Sequence, residues 1–382
     1  MIKSKHILQN PFTSNSIGTY TQLNSLKRES GFTLIELMLS LVLGLLISAA
    51  ALQIFYTSSV NSRRQEASSQ IQDNAIFGFS QMQQHLRRTN YGAKSTEAFN
   101  EFFMNHLTPQ GGVVLTAPSG VVPVTDPPTP VSWLQGNLSG LVLNGAAIPA
   151  TLLSIDGATG SISNLKDIAN SDQLTIQYRS DREGTFDCEG DAIPKGFYVI
   201  ERYFVRTDTT NALGLACASA IYDYNETDAG SPTGIDIASY TVPAVPATPT
   251  APAVAASVKN NNLAGTGTII IPNVDYFRVM LGVSSSKDFA TDPENLVIAY
   301  VPIPAAASLT TVLDTRRIVS LQIGILARSD NPTATAQANS ALRFTILDKA
   351  NAELNSVATS GPTYLRNIYE TTILLRNARG GV

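Results

Sequence analysis

Charged residues are scarce in this 382-residue chain: Asp, Glu, Lys and Arg make up 15% of it, against about 25% in ordinary soluble domains. Two cysteines are too few for a small disulfide-stapled scaffold. A basic excess is missing as well. The 26 Lys+Arg against 30 Asp+Glu give a net charge of −4, which argues against a general nucleic-acid binder. The three histidines, His6, His85 and His106, come with no His-Glu-x-x-His, Gly-x-Ser-x-Gly or P-loop pattern. They are expected to be leader or surface residues, and Gly265-Thr266-Gly267 reads as a turn rather than a phosphate cradle. Disorder is excluded by the 43% of hydrophobic residues. Finally, no proline falls between Pro11 and Pro109, so nothing in that stretch forces a helix to break.

The mean hydropathy of +0.05 conceals a split. Residues 32–56 read FTLIELMLSLVLGLLISAAALQIFY and hold one charge, Glu36; from Leu37 to Ser62 there is none. About 20 apolar residues cross a bilayer core. A buried core helix rarely runs so far without a polar stripe, and a signal peptide has a shorter apolar region. The preceding Lys3, Lys5, Lys27 and Arg28, opposed by Glu29, balance to +3; without them the whole-chain −4 becomes −7. The positive-inside rule keeps that flank cytoplasmic and puts the acidic remainder on the far side.

The junction reads Lys27-Arg28-Glu29-Ser30-Gly31-Phe32-Thr33-Leu34-Ile35-Glu36-Leu37. A carboxylate five residues into an apolar span is costly and marks function by default. Gly-Phe-Thr-Leu-Ile-Glu resembles the processing site of type IV prepilins and type II secretion pseudopilins. That resemblance implies cleavage by prepilin peptidase between Gly31 and Phe32, N-methylation of Phe32, and an assembly role for Glu36, paired with the α-amino group of a neighbouring subunit. The 31-residue leader is longer than is usual for type IVa pilins.

Beyond the span, Val60, Ala67, Ile71, Ala75, Phe79, Met82 and Leu86 recur at helical spacing. They predict one helix from 32 to about 90, roughly 88 Å long at 1.5 Å per residue, loosened at Gly78 and stopped at Gly92. Two-residue periodicity then takes over. Strands are expected at Leu141–Leu143, Leu174–Tyr178, Phe197–Val205, Tyr276–Val283, Leu296–Val301, Arg317–Ala327 (half-buried) and Ile368–Leu375. Antiparallel pairing is the default, because no helical crossovers separate them. Pro118–Pro130 and Thr241–Ser257 read as loops, the second as an extended polyproline arm with Pro at 243, 246, 249 and 252. A domain boundary near 245 is the alternative.

Ser69–Phe77, Leu86–Gly92, Phe186–Gly190, Leu215–Cys217, Arg317–Ser329 and Thr372–Asn377 are similar to stretches of PilW-type minor pilins of the type IV pilus. Ala93 departs from that pattern, since Cys is frequent there. The resemblance implies an α+β, pilin-like lollipop: a leader at 1–31, a transmembrane and assembly helix at 32–56, an amphipathic helix at 57–90, and an antiparallel β-rich head with long loops at 91–382. Cys188 and Cys217 lie in segments that look like the family's paired cysteines, on the side where disulfides are permitted. Closing that loop would contribute about 3–4 kcal/mol in the chain-entropy model. The acidic clusters Asp181–Asp191 and Asp223–Asp228 have a spacing that fits Ca²⁺ on a loop, but they lack EF-hand order; no metal, cofactor or enzymatic activity is expected.

By resemblance the chain is a minor pilin that primes pilus assembly and sits in the pilus or its tip complex, supporting twitching motility, adhesion and DNA uptake. Its implied partners are prepilin peptidase, the major and other minor pilins, a tip adhesin, the inner-membrane assembly platform and membrane lipid. No specific nucleic acid is among them; a DNA-receptor variant would need a basic patch, for which Arg316, Arg317, Arg328 and Arg343 are the candidates. The implied location is the inner membrane, single-pass with a periplasmic head, and then the extracellular pilus. A type II secretion pseudopilin and a membrane-anchored periplasmic enzyme are the alternatives.

Overall fold

The computed structural model describes residues 31–92, 104–118, 136–225, 228, 234–247, 252–285, 297–314, 316–333 and 339–378. Most of the leader, Ala93, the expected loop from 119 to 130, Glu226 and Leu296 lie outside them. The chain divides into two compact units, one through Thr57 and one from Ser58.

Helix α1 runs Leu34–Leu86. In the first unit its apolar side chains stand exposed, from Leu34 at 79% through Leu43 at 52% to Tyr56 at 68%. Among the described residues it is the one segment long and apolar enough to cross a membrane. Exposed apolar area on this scale is stable only when another apolar phase or surface covers it.

In the second unit the same helix becomes amphipathic. Ala67, Ile71, Ala75, Gly78, Phe79, Met82, His85 and Leu86 are buried. The helix stops earlier than the expected 90. After Leu86 the chain turns, with the Arg88 and Thr89 amides donating to the His85 and Leu86 carbonyls at 2.9 and 3.1 Å. Asn90 adopts φ +66° and Gly92 φ +67°. These left-handed conformations suit Asn and Gly, and they let the Asn90 amide donate to Gln177 of the sheet at 2.9 Å.

Two four-stranded antiparallel sheets form the body of this unit. Counting with them the separate pair β4–β5, the strands are β1 (Leu174–Arg179), β2 (Tyr198–Thr207), β3 (Leu213–Tyr222), β4 (Ser239–Val242), β5 (Ser257–Asn260), β6 (Thr268–Pro272), β7 (Val274–Ser284), β8 (Ile298–Pro302), β9 (Ile318–Arg328) and β10 (Arg366–Leu374). The first sheet has the order β6-β3-β2-β1 and the second β8-β7-β9-β10. One apolar core joins them to the helix: Ile71, Phe79, Met82 and Leu86 pack with Ile176, Tyr203 and Leu215 of the first sheet and Phe277, Leu321 and Ile323 of the second.

Four expectations are corrected by this architecture. Gly78 does not loosen the helix: a Cβ there would collide with the Ile271 side chain and lie 3.1 Å from the Ile270 carbonyl, so glycine seats the helix against β6. Of the expected polyproline arm, the described parts 241–247 and 252–257 pair instead: they continue the antiparallel β4–β5 pair, and Val245 and Val254 exchange both backbone hydrogen bonds at 2.9 Å. Strand β9 is buried on nearly its whole length, because Phe344 and Ile346 of a small hairpin cover Leu326 and Tyr276 on its second face. Strands β3 and β6 are additions to the expected set. β3 reads LGLACASAIY, and its small residues are fully buried among larger neighbours such as Phe204, Tyr198 and Leu263.

Candidate processing and assembly site

Thr33 precedes α1 as its N-cap, and Glu36 is the third helical residue. The Glu36 amide donates to Thr33 Oγ1 at 3.3 Å, and the Thr33 amide donates to Glu36 Oε2 at 3.2 Å. The Thr33 hydroxyl adds a bond to the same Oε2 at 3.0 Å. This is a reciprocal capping box, which satisfies two orphan donors at the helix start. The Thr-x-x-Glu spacing is visible in the sequence and identifies Thr33 as a partner of Glu36. The second oxygen, Oε1, accepts no hydrogen bond from the described residues, and the carboxylate is exposed. Phe32, at 86% exposure, lies immediately before the cap. A Cβ on Gly31 would meet nothing within 4 Å, so the fold itself does not demand glycine at that position.

A second polar cluster sits where α1 meets β2. Glu201 is completely buried, yet both its carboxylate oxygens are engaged. Its Oε1 takes hydrogen bonds from His85 Nδ1 at 2.8 Å, the Tyr178 hydroxyl at 2.9 Å and the Cys188 amide at 3.0 Å. Its Oε2 accepts from the Tyr203 hydroxyl at 2.7 Å. Burial disfavours a charged His85, but the Glu201 charge and hydrogen bond outweigh it, so the imidazole pKa is raised. Burial likewise opposes ionisation of Glu201, and the charge and hydrogen bonds of His85, with the two tyrosine hydroxyls, hold its pKa below the usual value. His85 is therefore not the expected surface residue. It lies three residues after Met82, on the buried stripe, a spacing the sequence already shows. His106 is also buried; desolvation lowers its pKa.

Cys188 and Cys217 form a disulfide with their Cα atoms 6.1 Å apart. It ties the turn that donates to Glu201 onto β3. The adjoining acidic residues are anchors rather than a cation loop. Asp187 accepts from the Asp191 amide at 2.7 Å and from the Ser219 hydroxyl at 2.5 Å, while Glu189 accepts from the Ser219 amide at 2.8 Å. Burial pushes the Asp187 carboxyl up to about 6. Among the described residues no group of three or more His, Cys, Asp or Glu side chains is placed to hold a metal.

The candidate basic patch does not assemble. Arg317 is buried, Arg343 pairs with Glu353 at 2.8 Å, and Arg328 lies over the Tyr364 ring at 4.7 Å.

Comparison with known families bears on both parts of the chain. The model of the prokaryotic N-terminal methylation motif matches residues 26–52, which contain Gly31, Phe32, the capping box and the start of the span. The model of type IV pilus-assembly protein W matches residues 239–377, from β4 through β10. The chain resembles a PilW-type minor pilin. The two matches together support a type IV pilus minor pilin, a structural class, and fit membrane anchoring through α1. No curated protein and no solved structure matches the chain.

Proposed function

We propose that this chain is a type IV pilus minor pilin that is cut by prepilin peptidase between Gly31 and Phe32, methylated at Phe32, and packed through residues 32–56 into the filament or its priming complex. The observation that carries this is the geometry around Glu36: the one carboxylate in the exposed apolar stretch 32–56, which holds no other charge, with one oxygen held by the cap and the other open. An α-amino group of a neighbouring subunit is the natural cation for that open oxygen in a water-poor environment. Gly31 has no steric reason in the fold, which supports a requirement imposed by the processing enzyme instead.

On this reading the positive flank stays in the cytoplasm, the chain spans the inner membrane once, and the second unit is periplasmic until it enters the pilus. Its partners are the major and other minor pilins and the assembly platform; priming of assembly, and through it twitching motility, adhesion and DNA uptake, is the role we assign. The test is the mass of the mature N-terminus together with a Glu36→Gln variant. An N-methyl-Phe32 terminus is expected, and the variant should be processed normally but fail to restore pili. An intact leader, cleavage near Ala50, or normal piliation by the variant overturns the proposal. Loss of secreted enzymes instead of pili on gene deletion reassigns the chain to a type II secretion pseudopilin.

A further inference from the structure

The chain leaving β3 carries a motif that filament assembly does not use. Acceptors of N-linked glycan read Asn-x-Ser/Thr, with x other than Pro. Three Asn-x-Ser/Thr tripeptides occur in the sequence: Asn137-Leu138-Ser139, Asn225-Glu226-Thr227 and Asn331-Pro332-Thr333. The fold and the chemistry separate them. Asn137 is fully buried, and its amide nitrogen is committed, donating to the Asn105 carbonyl at 2.8 Å and the Thr108 carbonyl at 3.0 Å. Asn331 is followed by the excluded proline. Asn225 is left, and it is exposed. It also differs from the other two in what precedes it: the residue two positions before is Asp223, against Gln135 before Asn137 and Ser329 before Asn331.

The local geometry presents this site outward. β3 ends at Tyr222, which is fully buried and stacks on Tyr198 with the ring centroids 5.5 Å apart. Tyr224 is half-buried and meets the same Tyr198 ring edge-on at 5.8 Å. Asp223 and Asn225, on either side of that anchor, are exposed. The chain is thus held by its tyrosines while the carboxylate and the amide stand at the surface. Glu226 and Thr227 lie outside the described residues and enter by identity alone.

We propose that Asn225 is the acceptor of an N-linked oligosaccharide, and that Asp223 is the residue by which an oligosaccharyltransferase grips the site through a basic side chain of its own. The donor is a polyprenyl-pyrophosphate-linked oligosaccharide, so the proposed function is needed here only in that the second unit is exported. Asn225 Nδ2 bonds to the anomeric carbon of the first sugar. The bond from that carbon to the pyrophosphate oxygen breaks, the leaving pyrophosphate takes the electron pair, and the proton lost by the amide ends on it. Nothing is oxidised or reduced. An amide nitrogen is a weak nucleophile that the enzyme must surround, which the exposed Asn225 permits and the packed setting of Asn137 does not. A carboxylate nearby offers a charge-assisted contact, about twice as strong as a neutral one. A glycan is bulky and solubilising, so its presence keeps this end of the first sheet out of any subunit interface.

The test is intact-mass and fragment-ion mass spectrometry of the full chain purified from the cells that make it. The expected result is a mass excess of one oligosaccharide, located on Asn225. Asn225→Gln and Thr227→Ala should each abolish the excess, and Thr227→Ser, which keeps the hydroxyl, should retain it. Asp223→Ala should lower occupancy about tenfold or more. The same spectra read the mature N-terminus, so the two proposals fail separately: a methylated Phe32 terminus with a bare Asn225 overturns this one and leaves the pilin assignment standing. A glycan found only on another residue, an excess that survives Thr227→Ala, or full occupancy in Asp223→Ala overturns it as well.

Discussion

Replacing Glu201 with Gln separates charge from hydrogen bonding at the buried clamp between α1 and β2. The amide keeps the shape. Its oxygen can still accept from His85, Tyr178 and the Cys188 amide, and its NH₂ can donate to the Tyr203 oxygen, which sits 2.7 Å from Oε2 in the native chain. The negative charge is lost, and with it the acceptor of the Tyr203 hydroxyl. In the native protein the raised pKa of His85 contributes stability that is fully present below about pH 6.5, its unfolded value, and is lost as pH rises through the folded value. The depressed pKa of Glu201 contributes stability that is present above its unfolded value and lost as pH falls through the folded one. The pair is therefore strongest at mildly acidic pH.

Without the carboxylate, burial dominates at His85, joined by the Arg88 charge and opposed by the Asp187 charge, and the imidazole pKa falls. Protonation then favours the unfolded chain, and the histidine's contribution to the slope of stability against pH changes sign. The cost of Glu201→Gln should be about 2–3 kcal/mol near pH 5.5, the worth of hydrogen bonds to a charged group, and should shrink to about 1 kcal/mol or less as pH rises through the raised folded value of His85 and the imidazole becomes neutral. Asp187 is raised partly by Glu201, and its relaxation in the variant acts in the same direction. The assay is denaturant unfolding of the full chain in detergent across that range, variant minus native, so that unrelated groups such as Asp172, pushed up to about 7 by burial, cancel. A cost that is constant with pH, or one that grows toward alkaline pH, refutes the ionised pair.

Two further perturbations test the packing around the clamp. Gly78→Val places a branched side chain into Ile271 and the Ile270 carbonyl; overpacking of this kind should cost about 1–3 kcal/mol or more and lower the thermal midpoint, whereas an unchanged midpoint would show that the helix does not bear on β6. The paired substitution Cys188→Ser and Cys217→Ser opens a loop with a sequence separation of 29 and should cost about 3–4 kcal/mol in the chain-entropy model, measured as a shift in denaturant midpoint; reduction of the native chain should reproduce it.

What the sequence disclosed and what it withheld differ by a physical rule. An apolar run without charge, and strands such as Tyr276–Val283 with bulky β-branched and aromatic residues, declare themselves because burial and residue type coincide. β3 hides because its positions between Phe204, Tyr198 and Leu263 require Ala, Gly and Ser, residues with little strand preference. The arm at 241–257 misleads because Pro at every third position suits an extended helix, yet in its described parts Val245 and Val254 carry ladder hydrogen bonds. Glu201 is not recognisable as a buried acceptor, since its donors come from residues 85, 178, 188 and 203 and meet only in the folded unit.

Glu36 shows how the two levels combine. The capping box accounts for a polar residue at the third helical position, and Thr33 accounts for where the helix begins. But the box accepts glutamine as readily as glutamate, and glutamine would cost far less to place in a bilayer than a carboxylate. The cap therefore explains the hydrogen bonds and leaves the charge unexplained. On the proposed reading, what remains is met by the α-amino group of a neighbouring subunit. That is why Glu36→Gln discriminates so well: it conserves the cap and the helix start and removes only the charge. Thr33→Val does the converse, fraying the helix start while leaving the carboxylate free to pair. If assembly depends on a partner's amino group, the first variant loses piliation and the second largely keeps it. The opposite order would make the capping box, not the charge, the functional element.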